Sequence, residues 1–215
     1  MSVKFCESDE SRTFEQFEEE TNQIAAGLVA HGLKPGDRIG IWCQNKIEWI
    51  QNWALSQLRY RNNRFFHWLF HGALVQTQFA VAKVGAILVN INPAYKSHEL
   101  IYALNKCQVK YLVMDTRCGR NDFLATLLKA LEDDPISCLE QFIFLNNDAP
   151  VVNNALDVAQ TALKFKDVSF FSDLYEAGDS SHAKIVESNI AKNRFDDIIN
   201  IQVRDIPVSD SGSPG

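Results

Sequence analysis

The chain has little of what marks several functional classes. Its five cysteines (Cys6, Cys43, Cys107, Cys118 and Cys138) are odd in number and far apart, with no C-x-x-C pair. That spacing excludes a disulfide framework or a zinc ribbon and reads as reduced thiols inside a cell. No apolar run approaches the ~20 residues that cross a bilayer, so no transmembrane segment is predicted. Cationic excess is missing as well. The net charge is −6 and the pI is near 5.4, the wrong balance for a nucleic-acid partner. Glu7, Asp9 and Glu10 fit neither a secretory signal nor a mitochondrial presequence. No targeting peptide is visible, and the expected setting is intracellular, cytoplasmic or mitochondrial. No Ser-His-Asp set, paired-carboxylate site or glycine-rich nucleotide fingerprint stands out. No catalytic, cofactor-binding or metal-ligating residue is therefore assigned.

What is present is a globular pattern. With 215 residues, 46% apolar and 22% charged, the chain can hold one sizeable domain. Thr13-Phe14-Glu15-Gln16 has capping-box spacing and opens a helix striped by Phe17, Ile24, Ala25 and Leu28. Gly32 ends that helix, and Pro35-Gly36 turns the chain into a strand over Arg38–Trp42. Short apolar runs follow at Ala86–Ile91, Tyr111–Met114, Gln141–Leu145 and Ile198–Gln202. Between them, Ser97 is placed to cap a helix carrying Leu100, Ile101 and Leu104. Asn121 is placed to cap another with Leu124, Leu127, Leu128 and Leu131. Residues 146–169 read as a surface excursion, and Ser172–Ala177 as a short helix closed by Gly178. Apolar strands alternating with amphipathic helices predict an α/β fold with a mainly parallel sheet flanked by helices.

One stretch breaks this pattern. Leu58–Gln78 holds Arg59, Arg61 and Arg64, no acid, and the aromatics Tyr60, Phe65, Phe66, Trp68 and Phe70. With it excised, the stripe Ile47, Ile50, Ala54 continues through Phe79 and Ala82 at helical spacing and ends at Gly85. A foreign insert, such as a translated intron, fits that continuity best. A genuine extra element, a membrane-surface contact or a nucleic-acid stacking segment are the other readings. His67 and His71 share one helical face but have no third ligand in sequence, and read as surface histidines.

Several polar residues invite assignment. Asp37-Arg38 reads as a turn carboxylate and a solvated cation. Asn92-Pro93 closes a strand at its carboxyl end, where α/β folds bind ligands, but reads as a shaped loop. Trp42, Trp49 and Trp53 read as core, and His31 and His98 as helix-end residues.

Read in order, certain segments carry a resemblance. They are Thr13–Phe17, Ala25–Leu28, Gly32–Trp42 with Asn45, Glu48 and Trp49, then Ala82–Tyr95, Glu99-Leu100 and Tyr102–Leu104. Together they resemble the N-terminal region of AMP-forming acyl-CoA synthetases, most closely the medium-chain acyl-CoA synthetase family member two type. The likeness spans about residues 10–57, 79–145 and, more loosely, 167–202. It implies residues 10–202 as an incomplete N-terminal subdomain of the acyl-adenylate-forming fold, interrupted at 58–78, with 203–215 an atypical, disordered tail. It also implies a two-step ligase. A carboxylate attacks the α-phosphate of Mg·ATP to give an acyl-adenylate, and the thiol of coenzyme A then displaces AMP. For full-length members the resemblance implies ATP, Mg and coenzyme A as cofactors and a medium-chain fatty acid as substrate. The family's phosphate-binding loop is rich in Thr, Ser and Gly and contains a Lys. Ser211-Gly212-Ser213-Pro214-Gly215 lacks the paired threonines and that Lys. Neither the loop nor the C-terminal lid is legible, so no cofactor is expected to bind this chain and no catalysis is expected of it alone. The alternative is a non-catalytic α/β interaction module, contacting a membrane surface through 58–78. A sheet cut at its last strand would also expose an edge.

Overall fold

The computed structural model describes residues 2–4, 11–43, 75–118, 121–133, 136–145 and 167–203. Strands β1 (Ser2–Lys4) and β2 (Ser11–Thr13) form a small antiparallel ribbon, with Val3 opposite Arg12. Helix α1 (Phe14–Ala30) starts at Thr13 through the predicted reciprocal cap. Gln16 N–H donates to Thr13 Oγ1 at 3.1 Å, and Thr13 N–H donates to Gln16 Oε1 at 3.0 Å. Gly32, at φ 92°, takes the left-handed conformation that lets the chain leave the helix. Strand β3 (Arg38–Trp42) follows, with the predicted bounds.

Helix α2 occupies residues 75–84 and β4 occupies Ile87–Asn90. Helix α3 (Ser97–Cys107) leads to β5 (Tyr111–Met114). The two-residue strands β6 (Arg117–Cys118) and β7 (Asn121–Asp122) then precede α4 (Phe123–Asp133) and β8 (Gln141–Phe144). Strand β9 (Asp167–Phe170) runs into a 3₁₀ turn and α5 (Leu174–Ala177), and α6 (Ser180–Ile190) precedes β10 (Asn200–Gln202).

The main sheet has the order β10-β4-β3-β5-β8-β9, and every neighbouring pair is parallel. Parallel strands need helical crossovers, which cover both faces and require apolar side chains on each. The residues comply: every position of β5 and β8 is buried. Trp42, Val89, Leu112, Met114, Phe142 and Phe144 pack on one face against α3 and α4. Ile39, Ile41, Leu88, Val113 and Ile143 pack on the other, against α1, α2, α5 and α6. The expected α/β architecture is the one observed.

Local differences have local causes. The cap of α3 is Lys96, whose N–H donates to Glu99 Oε2 at 2.8 Å, so the predicted cap Ser97 lies inside the helix. The α4 cap is Asp122 rather than Asn121. Its carboxylate accepts from Ala125 N–H at 2.8 Å, while Asn121 pairs with Cys118 in the small ribbon. β9 begins inside the stretch read as a surface excursion, because Val168 and Phe170 pack on the core as edge-strand residues.

Helix α2 revises the reading of the Arg/aromatic segment. Residues 75–78, the last of that segment, are helical and continuous with Phe79. The buried face is Gln76, Thr77, Ala80, Val81 and Val84, whereas Phe79 is 50% exposed. An apolar-only stripe misses this phase because Gln76 is buried through polar partners. Its Nε2 donates to Glu20 Oε2 at 2.9 Å, and Tyr175 Oη donates to its Oε1 at 3.2 Å. Lys83 adds a polar tie on the same seam, donating to Asn22 Oδ1 at 2.6 Å, and burial pushes its pKa down. Trp49, Trp53, His67 and His71, and the tail from 204 onward, lie outside the described residues.

Candidate functional site

In an open parallel sheet the place to look is the crevice beyond the carboxyl ends of the strands, where strand order reverses. From β3 the chain crosses through α2 to β4. It then recrosses through α3 to β5 on the other side of β3. The reversal therefore lies between β3 and β5, whose carboxyl ends are Trp42-Cys43 and Met114-Asp115-Thr116.

Trp42 is buried. Its Nε1–H donates to the Asn92 carbonyl at 3.2 Å, and its ring meets Phe123 edge-on at 4.8 Å. Asn92 shapes the loop after β4. Its Oδ1 accepts from Ala94 N–H at 2.9 Å and its carbonyl from Tyr95 N–H at 3.1 Å. Asn90, Asn200 and Gln202 bond to one another: Asn90 Nδ2 and Gln202 Nε2 both donate to Asn200 Oδ1, at 3.3 and 3.1 Å. These amides are engaged within the fold and make no preorganised phosphate cradle. Among the described residues no group of three or more His, Cys, Asp and Glu is arranged to hold a metal ion. No catalytic step through Mg·ATP is derived from the described part of the crevice.

Asp115 is the residue that sequence reading missed. It follows β5 at the reversal and is fully buried, which pushes its carboxyl well above the ordinary aspartate range. The available signal was its position: an acid directly after a fully buried strand, on the central crevice of the sheet.

The other residues singled out in sequence are spread through the fold. Asp37 is a turn carboxylate, accepting from Lys34 N–H at 3.0 Å and from Lys110 Nζ at 2.7 Å. The hydrogen bond to Asp37 raises the Lys110 pKa. His31 caps α1, with its Nδ1 2.9 Å from Gln141 Nε2 at the amino ends of the strands, opposite the crevice. His98 lines a shallow groove with Tyr102, Asn105, Lys106 and Asp133 on α3 and α4. Cys43, Cys107 and Cys138 are half-buried thiols in no disulfide among the described residues, and burial raises the pKa of Cys107 and Cys138. Asp179, Ser181 and His182 resemble a catalytic set in composition only. Ser181 Oγ and His182 Nδ1 both contact Asp179 Oδ1, at 2.6 and 2.8 Å, and build the amino-terminal cap of α6. Hydrogen bonding from Ser181 holds the Asp179 pKa at about 2. No described helix is long and apolar enough to cross a membrane.

A parallel sheet covered by helices on both faces, with strand order reversing at its centre, defines a doubly wound α/β protein. Residues 2–52 and 72–201 match the AMP-binding enzyme family, and the chain belongs to that family. It is 30% identical over 204 residues to the mitochondrial medium-chain acyl-CoA ligase ACSF2 of Danio rerio, covering 94% of this chain and 28% of that relative. It is 38% identical over 121 residues to the acyl-CoA ligase SID4 of Ajellomyces capsulatus, covering 56% of this chain and 16% of that one. Among solved structures, the R395G coronafacic acid ligase of Pectobacterium brasiliense shares the fold, at TM-score 0.50 and 15% identity, over 78% of this chain and 25% of its own. The homology is to the N-terminal part of AMP-forming acyl-CoA ligases, and the chain spans 28% of the Danio relative's length.

Proposed function

We propose that this chain is the N-terminal portion of an ATP-dependent fatty acid–CoA ligase and that residues 1–215 alone form no acyl-adenylate. The observation that carries the reading is the family match over nearly all the described sheet, against coverage of only 28% of a full ligase. Bound Mg·ATP would supply an activated phosphorus for the carboxylate. Stabilising the charge that builds there requires preorganised donors and a cation. The amides at the carboxyl end of this sheet hold Asn92's loop and β10 in place instead. The role derived for this chain's residues is thus a scaffold for chemistry performed elsewhere in the ligase fold. A medium-chain acyl substrate and a mitochondrial setting are suggested by the name of the Danio relative and are part of the proposal. The test is fatty-acid-dependent ATP–pyrophosphate exchange. The purified chain gives none above background while the Danio ligase, assayed in parallel, exchanges label; exchange by the chain itself contradicts the reading.

We further propose that an insertion splits the helix before β4, ending earlier than Gln78. The family match leaves out 53–71. Joining Asn52 to Gly72 puts Ile47, Ile50 and Ala73 in helical phase with the buried face Gln76, Thr77, Ala80, Val81 and Val84.

A further inference from the structure

The seam between α1 and α2 holds an amine in surroundings unlike those of an ordinary surface lysine. Lys83, on the last turn of α2, is half-buried. Its Nζ donates to Asn22 Oδ1 at 2.6 Å and to Thr21 Oγ1 at 3.2 Å. Both acceptors are neutral. Thr21 directs its own hydroxyl proton toward the Phe17 and Glu18 carbonyls, each at 2.9 Å, so its oxygen accepts from the amine and does not donate to it. Among the described residues Lys83 forms no ion pair. Glu18 acts on it only through space, and Glu20, the next acid on this side of α1, accepts from Gln76 Nε2 at 2.9 Å.

Burial without a bonded carboxylate favours the uncharged amine. Here desolvation outweighs the pull of Glu18, and the pKa falls below the ordinary lysine value. An uncharged amine that spends two N–H groups on Asn22 and Thr21 keeps its lone pair unbonded to either. That is the form that attacks an acyl carbon. Phe79 stands four residues before Lys83, on the same side of α2. It is 50% exposed, although its ring meets Phe17 edge-on at 5.4 Å. An apolar surface held by a neighbouring helix therefore adjoins the nucleophile.

We propose that Lys83 is a covalent modification site, acylated by thioesters that carry an apolar acyl chain. The Nζ lone pair attacks the thioester carbonyl carbon. The N–C bond forms as the C–S bond breaks, the nitrogen gives up one proton, and the thiolate leaves and is protonated to the thiol. Nothing is oxidised or reduced, and the co-reactant is the thioester itself. The acyl chain covers Phe79, and the amide product removes the Lys83 charge from the seam. The thioester comes from outside the chain, so the inference does not depend on whether this chain forms an acyl-adenylate.

The experiment incubates the full chain with octanoyl-CoA or acetyl-CoA at neutral pH and follows acylation of each lysine by peptide mass spectrometry. Lys184, exposed on α6, is the internal reference. Lys83 is expected to acquire octanoyl groups at least about tenfold faster than Lys184, the gain in neutral amine that one pKa unit gives. Its preference for octanoyl over acetyl is expected to exceed that of Lys184. Asn22→Asp sets a carboxylate where the amine now meets a neutral oxygen and holds it as ammonium. That variant is expected to slow Lys83 by at least about tenfold and leave Lys184 unchanged. Asn22 is exposed, so the variant keeps the wild-type circular dichroism and the change reports on the amine rather than on folding. Three results overturn the proposal: Lys83 labelled no faster than Lys184, a Lys83 rate indifferent to Asn22→Asp, or the same acyl preference at both lysines.

Discussion

Gly27 lies where α1 crosses α5, and a Cβ there would collide with the Leu174 backbone carbonyl. A clash with main chain cannot be relieved by a rotamer change, so Gly27→Ala should cost about 1–3 kcal/mol or more. A lowered denaturant midpoint checks this, and an unchanged midpoint removes the close approach. Asp115 gives a pH-dependent counterpart. Burial raises its folded-state pKa above the ordinary 3.8, so the folded state holds a proton that the unfolded state releases. Its contribution to stability is complete below 3.8 and is lost as pH rises through the folded-state value. Asp115→Asn should therefore raise stability at neutral pH, with the gain shrinking toward pH 3.8. A variant less stable than wild type at neutral pH contradicts this account.

At the scale of elements, α2 sets the sharpest test. If residues 53–71 interrupt one helix, deleting them restores an unbroken amphipathic helix, and the shortened chain melts higher with greater soluble yield. An unchanged or lower melting temperature counts against the insertion. The same helix shows what sequence could and could not reveal. Elements built on apolar periodicity, α1 and β3 above all, were legible with their caps and bounds. The true phase of α2 was not, because Gln76 and Thr77 are buried polar residues invisible to an apolar stripe. Helix α6 escaped for a related reason. Val186 is its only buried apolar residue, and its cap has His182 where Glu or Gln signals a capping box. Asp115 was passed over because an acid after an apolar run reads as a turn residue unless the strand order is known.

Over the whole molecule, the sheet is built from the inside outward. β3 lies between β4 and β5, both faces carry apolar cores, and β10 and β9 are the outermost strands among the described residues. Such a scaffold positions chemistry at its carboxyl end, yet the polar side chains described there support loops and strands. In the proposed function the chain supplies part of the ligase platform and does not itself hold nucleotide. Equilibrium dialysis of the purified chain against Mg·ATP tests it most directly. The account predicts no saturable binding up to millimolar nucleotide; saturable binding at micromolar concentrations contradicts it.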